Sequence, residues 1–339
     1  MANGRNRSGE SVQNICRHAF AAPVRDENCR NHLCALSYRN WYIRIPIAKS
    51  SPVFNVYEKI RSTPDFYRQL RCGDSLISLF HCLLENKFED TWSQFNYIVY
   101  VVEGRKVWHT SQGSYDLQKG DCVFVRKGAC IVEQFFETAP CFIFFFIPDE
   151  FICDSLRDNT GSFKNLNRQF DPVITIEHTA IVQSFFLSMM SYFSSDREPD
   201  PILLELKFKE LVLMLNDNEA NSDLRSYFGS LLRQPQSISL QRAMEENFCF
   251  NLKLEEFAQL SARSLSAFKR DFQNVYATSP GRWLLEKRLH HASHLLANLN
   301  KTVSEAAFES GFESASHFSR VFRQRFGIQP TMVKRPATV

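Results

Sequence analysis

No stretch of this sequence is apolar for long enough to cross a bilayer. The run Phe142 to Ile147 is far shorter than the ~20 residues a spanning helix requires and reads as a buried strand. No long apolar segment of the kind that drives secretion stands near the N-terminus. The ten cysteines include no C-x-x-C pair and no finger spacing, and cysteines without a framework suit a reducing cytosol. Cys16, Cys29 and Cys34 stand near His18 and His32, again without metal-ligand spacing. No H-x-H occurs; the histidines within strand-like segments are His81 and His109. No nucleophile stands beside a base. These absences argue against an enzyme, a metal centre and a membrane partner. No catalytic residue, metal ligand or cofactor is expected, and the expected location is the cytoplasm.

Nor is there a large excess of either charge. The net charge is +3 over 339 residues, but it is unevenly spread. Residues 1–50 hold eight Lys/Arg against three Asp/Glu and residues 237–339 hold fourteen against nine, so each carries +5 and the middle carries −7. A basic C-terminal part beside an acidic centre is the division expected when only one of them touches phosphate. The length leaves room for two domains or more.

One pattern is present twice near the C-terminus. Leu254 to Pro280 reads LEEFAQLSARSLSAFKRDFQNVYATSP, and Val303 to Pro330 reads VSEAAFESGFESASHFSRVFRQRFGIQP. Ala258 falls on Ala307; past a one-residue insertion, Phe268, Arg270, Phe272 and Pro280 fall on Phe318, Arg320, Phe322 and Pro330. Such a self-match means two copies of one supersecondary unit. Each copy is a short helix, a turn, then a second helix, the layout of a DNA-binding helix-turn-helix. Ala258 and Ala307 are small where two helices cross. Gly311 sits at the second turn, where φ > 0 is often needed; in the first copy Ser261 occupies the turn and Arg263 precedes the next helix. Ser264 and Ser314 suit N-caps. Leu265, Phe268 and Phe272 form one buried stripe, and Phe318, Val321, Phe322 and Phe326 the other. The opposite faces carry Ser266, Lys269 and Arg270 in one unit, and Ala315, Ser316, Ser319, Arg320 and Arg323 in the other. Serines and arginines on an exposed helix suit base edges and phosphates.

A helix from Pro280 to Asn298 joins the units. Its 19 residues span roughly 28 Å at 1.5 Å per residue, comparable with the ~34 Å between successive major grooves on one face of the duplex. Trp283, Leu284, Leu289, Ala292, Leu295 and Leu296 are expected to pack against both units. Arg288 falls between these apolar positions, where a buried acid is the expected partner. His290, His291 and His294 read as a solvated face, not as metal ligands.

On these residues the segment from about Ser237 to Lys334 resembles the DNA-binding domain of the AraC/XylS family of bacterial transcription regulators. The pair Gly311-Phe312, the run SHFSRVFRQRFG from Ser316 to Gly327, Pro330, and the pattern P-x-x-W-L-x-x-x-R-L-x-x-A-x-x-L-L from Pro280 to Leu296 carry the likeness. The resemblance implies two helix-turn-helix units on a joining helix. It places Ser264, Ser266, Lys269 and Arg270 of the first unit, and Ala315, Ser316, Ser319, Arg320 and Arg323 of the second, towards DNA. Ala315 offers only a methyl group, suited to a thymine methyl.

The centre begins with strand-like segments: Leu76 to Leu84, Asn96 to Val102, Lys106 to Thr110, Ser114 to Leu117, Cys122 to Arg126, Ala129 to Phe136 and Cys141 to Pro148. Turn signals at Glu103-Gly104, Gln112-Gly113, Lys119-Gly120-Asp121 and Lys127-Gly128 separate them. That spacing predicts an antiparallel barrel or jelly roll, and Gly120-Asp121-x-x-Phe124-Val125 resembles a turn of cupin-like sensor domains. Helices follow over Asp149–Arg157, Glu177–Phe193 and Pro201–Leu215. Ile181, Phe185, Met189 and Tyr192 or Phe193 share one face of the second; Leu204, Phe208, Leu211, Val212 and Leu215 share one face of the third, with Glu205 and Lys209 at i, i+4. Asn216 to Asp223 reads as a turn. The last two helices resemble the dimerisation pair of the same family, with packing on the barrel as the alternative. The run from Asn96 to Gly128, with FFFIPDEFI after it, resembles AraC-type regulators of Bacteroidetes whose sensor domain is related to activators of type III secretion controlled by protein partners.

The expected architecture is α+β and multidomain. It comprises a basic tail over 1–54, a cupin-like antiparallel β-barrel over 55–160, a helical dimerisation or connecting segment over 161–233, a linker at Gln234-Pro235-Gln236-Ser237, and an all-α domain of two helix-turn-helix units over 237–335. The expected function is a sequence-specific DNA-binding transcription regulator, an activator, that enters two adjacent major grooves under control of its N-terminal sensor. Expected partners are double-stranded DNA, RNA polymerase, a small-molecule or protein effector, and a second copy of the chain. Two other readings stay open: a sensor module whose helical domain contacts a protein, and a cupin-type enzyme with an appended helical domain.

Overall fold

The strand Cys141–Ile147 is buried along its whole length, on both faces of its sheet. A computed structural model describes residues 53–64, 66–80, 86–136, 140–157, 170–195, 197–233 and 237–333. The basic segment with Cys16, Cys29, Cys34, His18 and His32 lies outside the described residues, as do His81 and most of the 234–237 connection. The strands are β1 (Phe54–Asn55), β2 (Arg68–Cys72), β3 (Ser75–Phe80), β4 (Phe88–Ser93), β5 (Asn96–Glu103), β6 (Arg105–His109), β7 (Ser114–Gln118), β8 (Cys122–Val125), β9 (Gly128–Gln134), β10 (Cys141–Ile147) and β11 (Val173–Ile176). One sheet has the order β1-β4-β9-β6-β7 and the other β11-β8-β5-β10-β3-β2. The ladders are antiparallel except the short β1–β4 pair.

Alternation along the central strands sorts two cores. Phe142, Phe144 and Phe146 of β10, with Tyr97, Val99 and Val101 of β5, meet Trp108, Cys130 and Val132 of the facing sheet. Ile143, Phe145 and Ile147, with Ile98, Tyr100 and Val102, point the other way into a helical layer. A strand covered on both faces must be apolar throughout, which is why Cys141–Ile147 shows no alternation. Each such buried Phe contributes roughly 1.5–3 kcal/mol of transfer free energy.

The helical layer contains α2 (Asp149–Leu156), α3 (Ala180–Ser194), α4 (Pro201–Asp217) and α5 (Ser222–Arg233), and a short α1 (Val56–Ser62) lies at the start of the chain described. Leu204, Phe208, Leu211, Val212 and Leu215 of α4 are buried as the pattern predicts. On α3 the buried face is Val182, Phe185, Phe186, Met189, Met190 and Phe193. Ile181, expected in that stripe, is 69% exposed. The helix begins at Ala180, capped by the Thr179 hydroxyl accepting from Val182 N–H, so Ile181 stands in its first turn, outside the buried face that Phe185, Met189 and Phe193 share. The ion pair on α4 joins Lys207 to Glu210 at 2.8 Å, beside the expected Glu205–Lys209 positions. Residues after α4 form only a brief turn before α5, which buries Leu224, Tyr227, Phe228 and Leu231.

The C-terminal helices are α6 (Ser237–Asn247), α7 (Leu254–Leu260), α8 (Leu265–Tyr276), α9 (Pro280–Asn298), α10 (Val303–Glu309) and α11 (Ala315–Phe326). They fill two cores. Trp92 and Ala129 of the five-stranded sheet share the first with Leu240, Met244, Phe257, Phe268, Phe272 and Leu284. Leu289, Ala292, Leu295 and Leu296 share the second with Ala307, Phe312, Phe318 and Phe322. Through α6 the first helix-turn-helix thus shares a core with the five-stranded sheet, and α9 gives its first half to one core and its second half to the other.

Two polar contacts reinforce that docking. The Arg126 guanidinium donates to the Glu246 carboxylate at 2.8 and 3.1 Å and to the Phe170 carbonyl at 2.7 Å. Asn247 Oδ1 accepts from the Ala129 N–H at 2.7 Å. Gly128, at φ +150°, leaves the room this needs, since a Cβ there would stand 3.0 Å from Asn247 Oδ1.

Candidate nucleic-acid interface

The two repeats fold as two copies of one unit. Ser264 caps α8, its hydroxyl accepting from Ala267 N–H at 3.3 Å. Ser314 caps α11 in the same way, accepting from His317 N–H at 3.4 Å. Thr302 and Glu305 form a reciprocal capping box at the start of α10. At α7 only half of it exists: Glu256 accepts from Lys253 N–H at 2.6 Å, and a lysine side chain has no acceptor to return.

The turns differ instructively. Gly311 takes φ +82°, and a Cβ there would lie 2.8 Å from the Cys249 carbonyl oxygen, so only glycine fits. The matching residue of the first unit is Ala262, at φ 53°. Ala262 is exposed, and the left-handed conformation costs it roughly 1–2 kcal/mol. The residue that turns the first unit is therefore Ala262. Ser261, expected there, is buried and donates its hydroxyl to the Phe257 and Ala258 carbonyls.

The stripes Phe268–Phe272 and Phe318–Phe322 are fully buried, which fixes the outward faces of α8 and α11. Ser264, Ser266, Lys269 and Arg270 are exposed in the first unit, and Ser316, Arg320 and Arg323 in the second. Ala315 and Ser319 are half-buried: the Ala315 methyl packs against the second core, and the Ser319 hydroxyl donates to the Ala315 carbonyl at 2.8 Å. Arg270 Nε lies 3.3 Å from Asp271 Oδ1 with its side chain 72% exposed, a pair weak enough to yield to another anion. Asp271 is held below the usual carboxylate range by a hydrogen bond from Arg263, then by Arg270. Gln273 and Asn274 continue the exposed face of α8 one turn on, where α11 has Arg323 and Gln324. The fifty-residue offset that matched Arg270 to Arg320 also matched Gln273 to Arg323, so the repeat carried that signal.

The joining helix covers Pro280–Asn298, capped by the Ser279 hydroxyl. Among the described residues Arg288 forms no ion pair; it donates to two backbone carbonyls, Phe248 and Phe250, at 2.7 Å each, with Glu313 close enough to favour its charge. Burial lowers its pKa to about 10, so it stays charged at neutral pH. His290 and His294 are exposed, but His291 departs from the expected solvated face. It is half-buried, its Nδ1 is 3.1 Å from Ser310 Oγ, and its ring meets Phe248 edge to face at 5.3 Å. Burial, then His294, lowers its pKa. A histidine depressed in the folded state favours folding above the ordinary imidazole pKa and loses that contribution as pH falls from about 6.5 through the folded value. The melting temperature of the His291→Gln chain is therefore expected to fall less than that of the parent between pH 7.5 and 5.5. Parallel curves would contradict this role.

In the barrel His109 is satisfied by Glu133 at 3.1 Å and Ser114 at 2.8 Å. Among the described residues no group of three or more His, Cys, Asp or Glu is arranged to hold a metal ion, and no helix is long and apolar enough to cross a membrane.

A regulatory domain docked on paired helix-turn-helix units defines a DNA-binding transcription regulator. Residues 257–335 match the family described as a helix-turn-helix domain, and residues 96–227 the one described as the ExsA N-terminal regulatory domain. The virulence regulon transcriptional activator VirF of Yersinia enterocolitica is 28% identical over 238 residues, 69% of this chain and 87% of its own. The regulator ExsA of Pseudomonas aeruginosa is 27% identical over 240 residues, 69% of this chain and 84% of its own. A crystal structure of an apo ToxT variant from Vibrio cholerae covers 78% of this chain and 97% of its own at 14% identity, with a TM-score of 0.40. The chain belongs to the AraC/XylS family of transcription regulators, with an ExsA-type N-terminal regulatory domain.

Proposed function

We propose that this regulator lays α8 and α11 into neighbouring major grooves on one face of a duplex and activates transcription by contacting RNA polymerase, in the cytoplasm. The observation that carries the reading is the repeated outward face: Ser266 and Arg270 on α8 recur as Ser316 and Arg320 on α11, behind equivalent serine caps. Lys269, Ser319 and Arg323 supply further contacts, Ser264 and Ala315 stand at the helix starts, and the joining helix spans roughly 28 Å. The two sheets, with the strand Val173–Ile176 in one of them, form the sensor, α2 to α5 its helical layer, and the helices from α6 onward the DNA-binding part. Duplexes selected from a random library are expected to share two short boxes about one helical turn apart. A single box would count against the second unit.

The effector is read as a small molecule or a protein: a cleft beside the last strand, lined by Tyr115, Phe170, Val173, Thr175, Asn221 and Asp223, encloses about 330 Å³, within the range of a metabolite site. The cavity between the two sheets, lined by Tyr67, Phe80, Tyr97, Lys106 and Trp108, holds about 30 Å³. That is roughly the share of one water, against ~300 Å³ or more for a metabolite site. A homodimer is supported by the outer side of α4, where Ile202 is 69% and Leu206 57% exposed at i, i+4. Ile202→Glu with Leu206→Glu is expected to halve the mass measured by light scattering without moving the melting temperature. An unchanged dimer would place the contact elsewhere.

A further inference from the structure

Between the two helix-turn-helix units runs a seam that neither unit supplies alone. The strap from Phe248 to Asn251, leading into α7, lies against the turn of the second unit. At its near end stands Asn247, seated on the barrel at Ala129. Arg288, halfway along α9, reaches across the seam to the Phe248 and Phe250 carbonyls. Gly311 closes the other side, so near that a Cβ would be 2.8 Å from the Cys249 oxygen and 3.0 Å from Arg288 Nε. Asn251 Nδ2 donates to Glu313 Oε1 at 2.7 Å further out.

A joining helix by itself fixes the distance between two units but leaves their rotation about it soft. Each unit has its own apolar core, and these cores divide along α9. What ties the strap to α9 and to the turn of the second unit is polar and directional: two charge-assisted bonds from the planar Arg288 group to the strap carbonyls, and the Asn251–Glu313 bond beyond the turn. We infer that Arg288 is the positioning residue that sets the angle between α8 and α11, and through it the box spacing the protein accepts. This rests on the two-groove reading above.

The test uses the full chain and duplexes selected by the parent protein, at their native spacing, with one to three base pairs inserted between the boxes, and with one box scrambled. The parent is expected to lose at least tenfold in affinity on insertion. Arg288→Met should bind the native spacing about tenfold more weakly and bind the single-box duplex as the parent does. Its insertion penalty should shrink to within about threefold. Arg288→Lys, which can reach one carbonyl at a time, should fall between. Asn251→Ala, at the exposed end of the seam, should relax spacing in the same direction while folding normally, and it carries the test should Arg288→Met not fold. An undiminished insertion penalty in these variants would overturn the positioning role, as would an equal loss on single-box and paired duplexes. A parent indifferent to spacing would instead remove the two-groove reading, and this role with it.

Discussion

Arg270→Ala combined with Arg320→Ala is expected to abolish protection of a selected duplex while leaving thermal unfolding unchanged. Both side chains project from helices whose opposite faces, Phe268–Phe272 and Phe318–Phe322, are buried. Neither arginine is part of either core, so the fold should not register the loss. A good base contact contributes about 1–3 kcal/mol, so losing two reduces affinity by roughly thirtyfold to twenty-thousandfold. The single variants should separate the roles: each should relax the preference at one base position, in one box. Lys269→Ala should differ, weakening all sequences alike and lowering the slope of log affinity against log salt by about one. Wild-type protection by the double variant would move DNA binding off these faces.

The second large effect lies in the domain junction. Arg126 has 5% of its side chain exposed and its carboxylate partner, Glu246, has 21%. Glu246→Ala leaves a buried guanidinium with the Phe170 carbonyl and the Tyr227 ring, 5.3 Å away, as its remaining partners. Breaking a buried pair from one side typically costs about 3–5 kcal/mol, and those remaining partners put this one near the lower end. The melting temperature is expected to drop by roughly 4–6 °C. Replacing both residues with methionine should restore much of it, because no charge is then left buried. A drop under 2 °C for Glu246→Ala would mean that the barrel does not hold α6 through this pair.

Local signals carried the C-terminal half further than the centre. The caps Ser264 and Ser314 and the full length of α9 are set by near-neighbour chemistry, and sequence reading located them residue by residue. Ala262 was hidden because alanine in a left-handed turn has no sequence mark; only alignment on Gly311 points to it. Arg288 was placed correctly between apolar positions, but its partners are backbone carbonyls forty residues away, which no composition encodes. In the centre β5 and β10 announced themselves by continuous apolar runs. β2 and β4 did not: RQLRC and FEDTWS are polar segments whose strand character comes from pairing with β3 and β9. The short VITI of β11 is β-branched but only four residues long, and α5 is obscured by the polar turn before it. Of the nominated contact residues, Ser319 and Ala315 are the two whose side chains are partly turned inward, because helix phase is fixed by the buried phenylalanines.

The two-groove geometry is tested most directly by hydroxyl-radical footprinting of the full chain on a selected duplex. Two protected windows on one face, centred about ten base pairs apart, are expected, with Arg270→Ala weakening one and Arg320→Ala the other. A single window, or two windows on opposite faces of the duplex, would contradict it.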